Sequence, residues 1–218
     1  MTEEYPLIAP AILTDSFEKF TTEVRRVENL FPYAQIDVMD GLFVLNRSFS
    51  EIKKVNEVKT NLKYELHLMV ENPLEEIKKW KKIKNVFRAI FHIESLSDPI
   101  KTIQAIRANS WQAGIAVNPD TPLQSIESYL DTVNLILFMT VFPGTQGAAF
   151  QGKLVKDKII AFTKLKKRPL CAVDGGITRE NISEVRSWGV EIFNIGSRLV
   201  MVEDIKNTYR ELRNKINV

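Results

Sequence analysis

The chain has 218 residues, 44% of them hydrophobic, and 30 basic against 27 acidic side chains give a net charge of +3. That length and composition suit a soluble α/β protein with a substantial core, and the charge is too slight to point to nucleic acid. The single cysteine, Cys171, excludes an intrachain disulfide. The N-terminal residues are acidic and lack the apolar core of a signal peptide, and no apolar run reaches the roughly 18 residues of a membrane span. A cytoplasmic protein that binds neither membrane nor nucleic acid is therefore expected.

Along the chain, short apolar runs alternate with longer amphipathic ones. Strands are expected at residues 7–13, 34–38, 64–69, 89–92, 112–117, 135–139, 170–173 and 192–195. Helices are expected at 16–29, 50–59, 73–82, 98–110, 123–130, 154–165, 179–188 and 204–216. Asn72-Pro73 and Asp98-Pro99 read as helix starts, a capping side chain followed by proline in the first turn. Ile182, Val185 and Trp188 share one helix face, and Gly189 is placed to end that helix. Basic runs such as Lys78-Lys79-Trp80-Lys81-Lys82 read as solvated helix faces.

Strands of four to six apolar residues with little alternation indicate burial on both faces, as in a parallel sheet. Eight strand–helix units in this length match a single (β/α)8 TIM barrel spanning 1–218. A doubly wound open sheet is the rival, but Ala9-Pro10-Ala11-Ile12-Leu13 stands where its glycine-rich loop would follow the first strand.

In such barrels the chemistry gathers at the C-terminal ends of the strands. Asp37 and Asp40 follow strand two, Glu65 and His67 lie in strand three, His92 and Glu94 close strand four, Asn118 follows strand five, and Asp174 ends strand seven. Alternate strand residues share a face, so Gln35, Asp37 and Met39 project together, as do Glu65, His67 and Met69. Asp37 and Asp174 can work as an acid–base pair, and with His67 they form a set suited to a divalent transition metal. Taken singly, His67 also fits a buried core histidine, Asp40-Gly41 a turn, and Asp174-Gly175-Gly176 a loop. Glycine-bearing turns after strands six to eight (Gly144 and Gly147, Gly175-Gly176, Gly196-Ser197) can bring backbone N–H groups to a phosphate, aided by the helix that follows each.

These residues carry a resemblance to the ribulose-phosphate 3-epimerase family. It rests on Asp37-Val38-Met39-Asp40-Gly41, His67-Leu68-Met69-Val70 with Asn72-Pro73, Phe91-His92 with Glu94, Asn118-Pro119, Met139 with Pro143-Gly144, and Val173-Asp174-Gly175-Gly176-Ile177. The resemblance implies a (β/α)8 barrel that inverts carbon 3 of a ketose phosphate, most simply D-ribulose 5-phosphate to D-xylulose 5-phosphate in the pentose phosphate pathway. It implies two proton-transferring aspartates (Asp37 and Asp174), and a divalent ion (zinc, iron, manganese or cobalt) held by two histidines and two aspartates. It also implies a methionine cap (Met39, Met69, Met139), and a homo-oligomer, commonly a dimer or hexamer.

Several positions depart from the family pattern. Gln35 replaces a ligand histidine, so the expected metal set is Asp37, His67, Asp174 and the Gln35 carbonyl. Ala11 replaces a substrate-contacting serine, Leu45 a proline, and the loop Pro143-Gly144-Thr145-Gln146-Gly147-Ala148 lacks a glycine and its closing glutamine. Two other readings accompany the leading one: epimerisation of another ketose phosphate such as a ketohexose 6-phosphate, and a non-catalytic sugar-phosphate-binding paralogue.

Overall fold

In the computed structural model, which describes residues 5–144 and 148–217, eight parallel strands close into a barrel in sequence order. They are β1 (Leu7–Ile12), β2 (Tyr33–Met39), β3 (Lys63–Met69), β4 (Val86–His92), β5 (Gln112–Val117), β6 (Leu135–Met139), β7 (Leu170–Asp174) and β8 (Ile192–Ile195). The last strand pairs with the first through Leu7 opposite Ile192 and Ala9 opposite Asn194. The expected (β/α)8 architecture is therefore the observed one.

The outer layer follows the sequence less closely. Helices α1 (Phe17–Val27), α2 (Pro73–Trp80), α3 (Pro99–Ala108), α4 (Gly152–Thr163), α5 (Ile182–Ser187), α6 (Ser197–Val200) and α7 (Ile205–Ile216) surround the barrel. Two segments expected as α-helices, 50–59 and 123–130, are 3-10 helices at Ile52–Glu57 and Leu123–Tyr129. Their apolar residues fall at Ile52, Val55 and Val58, and at Leu123, Ile126 and Tyr129. A strict spacing of three matches the 3.0 residues per turn of that tighter helix. The capping expectations hold. The Asn72 and Asp98 side chains accept from the backbone N–H groups of Glu75 and Lys101, with Pro73 and Pro99 in the first turn. Gly189, at φ +93°, follows α5 in the left-handed conformation that glycine adopts without penalty.

Two cores result from the alternation of side chains along the strands. One lies between the barrel and its helices, and includes Phe20, Leu66, Trp80, Phe91, Phe138, Phe162 and Phe193. The other fills the barrel and is divided in character. Ile90, Ala116, Leu135, Leu137, Ala172 and Ile192 make an apolar wall. Gln35, Glu65, His67, Arg88, His92 and Asn194, all buried, bring polar groups inside from β2, β3, β4 and β8. A polar interior is stable only where its groups are partnered. Here Arg88 donates to Glu65 at 2.6 Å and twice to Gln112, at 2.7 and 2.9 Å.

Candidate active site

The strand register assembles the site. Asp37 lies beside His67 and Met39 beside Met69 across β2 and β3, while Met139 and Asn194 flank Asp174 from β6 and β8. Asp37, His67 and Asp174 face a cavity at the C-terminal mouth of the barrel. It is lined by Asp37, His67, Asp174, Met39, Met69 and Met139, and on its far side by Gly144, Gly175, Gly176, Gly196 and Ser197. Ala11 and Arg198 also line it. Every expected site residue within the described chain thus reaches this one place or the layer just below it; Gly147 lies outside the described residues.

His67 sits between the two carboxylates, its Nδ1 3.1 Å from Asp37 Oδ1 and 3.3 Å from Asp174 Oδ2. One ligand atom from each of the three lies within 4.8 Å of the other two. Two carboxylate oxygens and one imidazole nitrogen this close fit a divalent transition ion, leaving positions open for substrate. Burial works to lower the basicity of His67, but its bonds to Asp174 and Asp37 outweigh it and push the pKa up to about 9. Burial, chiefly, together with the charge of Asp174 holds the Asp37 carboxyl above its ordinary range, against the pull of His67 and Gln35.

A chain of partners leads from His67 to the rim. Its Nε2 is 3.0 Å from His92 Nε2, and His92 Nδ1 is 3.2 Å from Glu94 Oε2. Burial first, and the neighbouring His67 second, hold the pKa of His92 below normal despite Glu94. A neutral His92 then accepts at Nε2 from His67 and donates at Nδ1 to Glu94, which assigns the tautomer of His92. Glu94 in turn accepts from the backbone N–H of Asn118 at 2.8 Å and from the Thr121 hydroxyl.

Gln35 departs from expectation. Its oxygen, expected to face a cation, is turned away and accepts from Asn194 Nδ2. Its Nε2 faces the site instead, donating to Asp174 Oδ2 at 2.6 Å and Asp37 Oδ1 at 2.8 Å. The reason lies underneath: Asn194 also donates to Glu65 at 3.3 Å, so its NH2 is the end available to Gln35. In this arrangement the set that could hold a cation is the triad Asp37, His67 and Asp174, with the Gln35 oxygen turned away from it.

The glycine-bearing side, expected to receive a phosphate, also differs in detail. Gly175 and Gly176 have φ of +99° and +65°, and a Cβ at Gly175 would overlap the Val141 side chain, so both require glycine. The helix dipole expected to follow these turns is nearly missing, because α5 begins only at Ile182 and α6 has four residues. Backbone N–H groups remain the available donors. Asp40, beyond the site, accepts from the N–H groups of Leu42, Phe43 and Glu71, and so orders the loop after β2. Sequence reasoning missed Asn194, hidden in the apolar run Ile192-Phe193-Asn194-Ile195, and Arg88.

A closed parallel barrel with paired aspartates and an imidazole at its C-terminal mouth defines a TIM-barrel enzyme equipped for proton transfer. A profile of the ribulose-phosphate 3 epimerase family matches residues 7–200, and the chain belongs to that family. It is 34% identical over 213 residues to the ribulose-phosphate 3-epimerase of Bacillus subtilis (strain 168), covering 94% of this chain and 97% of that protein. It is 32% identical over 212 residues to the enzyme of the same name from Helicobacter pylori (strain J99), covering 95% and 96%. Among solved structures it resembles 3-hexulose-6-phosphate synthase from Salmonella typhimurium, with a TM-score of 0.72 at 12% identity over 97% of this chain and 98% of that one. A tryptophan synthase α-subunit from Pyrococcus furiosus gives the same TM-score at 12% identity over 99% of both. At that identity the structural likeness speaks for the fold alone. Among the described residues no helix is long and apolar enough to cross a membrane.

Proposed function

We propose that this chain is a 3-epimerase of a ketose phosphate, with D-ribulose 5-phosphate as substrate and D-xylulose 5-phosphate as product. The observation that carries the reading is the convergence of Asp37 and Asp174 on one imidazole in a cavity that three methionines also line. A C–H beside a ketone is a weak acid. Its removal requires a positioned base and stabilisation of the charge that moves onto the carbonyl oxygen. In this reading one aspartate carboxylate takes the proton from C3 on one face, and the electron pair moves into the C2–C3 bond. The other aspartate, carrying a proton, returns it to C3 from the opposite face and inverts the centre. Burial and the neighbouring Asp174 charge raise the pKa of Asp37, the direction that eases its protonation.

A divalent cation held by Asp37, His67 and Asp174 would supply electrophilic stabilisation of charge on the substrate oxygens. His67 positions both aspartates, and the His92–Glu94 chain holds its ring. Met39, Met69 and Met139 exclude water from the reacting carbons with polarizable, apolar side chains. Gly144, Gly175, Gly176, Gly196 and Ser197 receive the phosphate through backbone N–H groups. A second reading, a sugar-phosphate-binding paralogue without turnover, draws support from the Gln35 amide between the carboxylates.

The deciding experiment incubates ribulose 5-phosphate with the protein in D2O with manganese, iron, cobalt or zinc, and follows C3 by NMR. One deuterium entering C3 with formation of xylulose 5-phosphate is expected. Exchange only with a ketohexose 6-phosphate would redirect the substrate assignment. No exchange with any ketose phosphate, together with measurable sugar-phosphate binding, would favour the paralogue.

A further inference from the structure

The Gln35 amide lies within hydrogen-bonding distance of the same three atoms that would gather around a cation. Its Nε2 is 2.8 Å from Asp37 Oδ1, 2.6 Å from Asp174 Oδ2 and 3.4 Å from His67 Nδ1. An NH2 group has two hydrogens and no lone pair to give, so in this position it can join two carboxylates but cannot ligate a metal. What sets its direction is a relay beneath the site, exposed only at its Gln112 end. Gln112 and Glu65 hold Arg88, Glu65 accepts from Asn194, and Asn194 donates to the Gln35 oxygen.

Reversing Gln35 meets a specific obstacle. With its oxygen turned toward the carboxylates and a cation, its NH2 would confront the NH2 of Asn194. Asn194 would then have to turn as well, offering the Oδ1 that is buried and has no hydrogen-bond partner among the described residues. That turn would set Asn194 Oδ1 against Glu65 Oε1, which lies 3.3 Å from the present donor. Two acceptors would face each other in a site shut off from water, at the cost of a lost bond and an unpaired buried oxygen.

We propose that Asn194 is a positioning residue, which holds Gln35 with its NH2 toward the aspartates and thereby lowers the affinity of the site for a divalent cation. The proposal rests on the reading of Asp37, His67 and Asp174 as the cation-binding set. It makes Gln35 a bridge between the two carboxylates rather than a ligand. It also makes the residues beneath the site, not the triad alone, the determinant of how firmly a metal is held.

The test compares the wild-type protein, Asn194→Leu, Gln35→Leu and the double variant, with cobalt(II) as the probe. Affinity is read from the visible absorption of the bound ion and by calorimetry, and folding from the metal-free thermal transition. Asn194→Leu should bind cobalt about three- to tenfold more tightly, the scale of one buried neutral hydrogen bond. Gln35→Leu should bind it as tightly as wild type or more so. The double variant should match Gln35→Leu alone, because Asn194 acts only through Gln35. Unchanged or weaker binding in Asn194→Leu, with or without a fall in thermal stability, overturns the proposal. So does a tenfold or greater loss in Gln35→Leu, which would make the amide oxygen a ligand, or the absence of cobalt binding in all four proteins. If Asn194→Leu does not fold, Gln35→Leu decides by the same criterion. Failure of epimerisation alongside the expected cobalt affinities would remove the proposed activity and leave the role of Asn194 intact.

Discussion

Replacing Arg88 with methionine should be among the most damaging single changes in the barrel, although Arg88 lies outside the cavity lining. The Arg88 and Glu65 side chains are 3% and 0% exposed and their charged atoms are 2.6 Å apart. Removing the guanidinium leaves a carboxylate enclosed, with the 3.3 Å bond from Asn194 the only one to it among the described residues. Breaking a buried pair by deleting one partner typically costs about 3–5 kcal/mol. The bonds from Arg88 to Gln112 add little to that figure, since Gln112 is exposed and water can replace them. In urea, with a slope of about 3 kcal/mol/M, the unfolding midpoint followed by circular dichroism should drop by about 1 M or more. Replacing both partners, Glu65→Leu with Arg88→Met, should recover most of the loss, because an apolar pair leaves no buried charge. A midpoint for Arg88→Met within about 0.3 M of wild type would refute the reasoning.

Other outcomes follow from the same geometry. Asp37→Asn and Asp174→Asn should each reduce C3 deuterium exchange beyond the ~10²–10⁴-fold associated with one acid or base, because each would lose a cation ligand too; unchanged circular dichroism separates this from misfolding, and near-normal exchange refutes the two-aspartate scheme. Arg198→Ala, beside Gly196 and Ser197 in the cavity lining, should raise KM for a ketose phosphate several-fold with little change in kcat; a fall in kcat alone would place Arg198 elsewhere in the cycle. The bonds from His92, Thr121 and Asn118 outweigh burial and hold Glu94 below its ordinary pKa. Its contribution to stability is then complete above the unfolded value of 4.5 and is lost as pH falls through the lower folded value. Glu94→Gln should flatten the acid side of the stability profile below about pH 4.5, and an unaltered profile there would count against this assignment.

The parts of the fold legible in the sequence were those in which one period dominates. Eight apolar runs separated by amphipathic stretches led to the barrel, and Asp37, His67 and Asp174 stood out because polar residues end runs that are otherwise apolar. The 3-10 segments misled because a three-residue spacing fits the first turns of either helix. Arg88 lies one residue outside the strand expected at 89–92 and draws no notice there; only the register that places Glu65 beside it shows that both are enclosed. Asn194 could not be found from its neighbours, since its partners Gln35 and Glu65 lie 159 and 129 residues away in the chain. The direction of the Gln35 amide depends on that distant contact and was hidden for the same reason.

The divided interior of the barrel also bears on redesign. Cohesion without chemistry is concentrated on the side of β5 and β6, where Ala116, Leu135 and Leu137 carry no polar atoms in their side chains. Asp37, His67 and Asp174 hang from β2, β3 and β7, with His92 of β4 bonded to His67 and Asn194 of β8 bonded to Gln35. Ala116, Leu135 and Leu137 lie outside the cavity lining, so volume-conserving exchanges among them would repack the barrel without touching Asp37, His67 or Asp174. Tolerated substitutions should therefore collect on this apolar arc, and be few where the buried polar groups depend on one another.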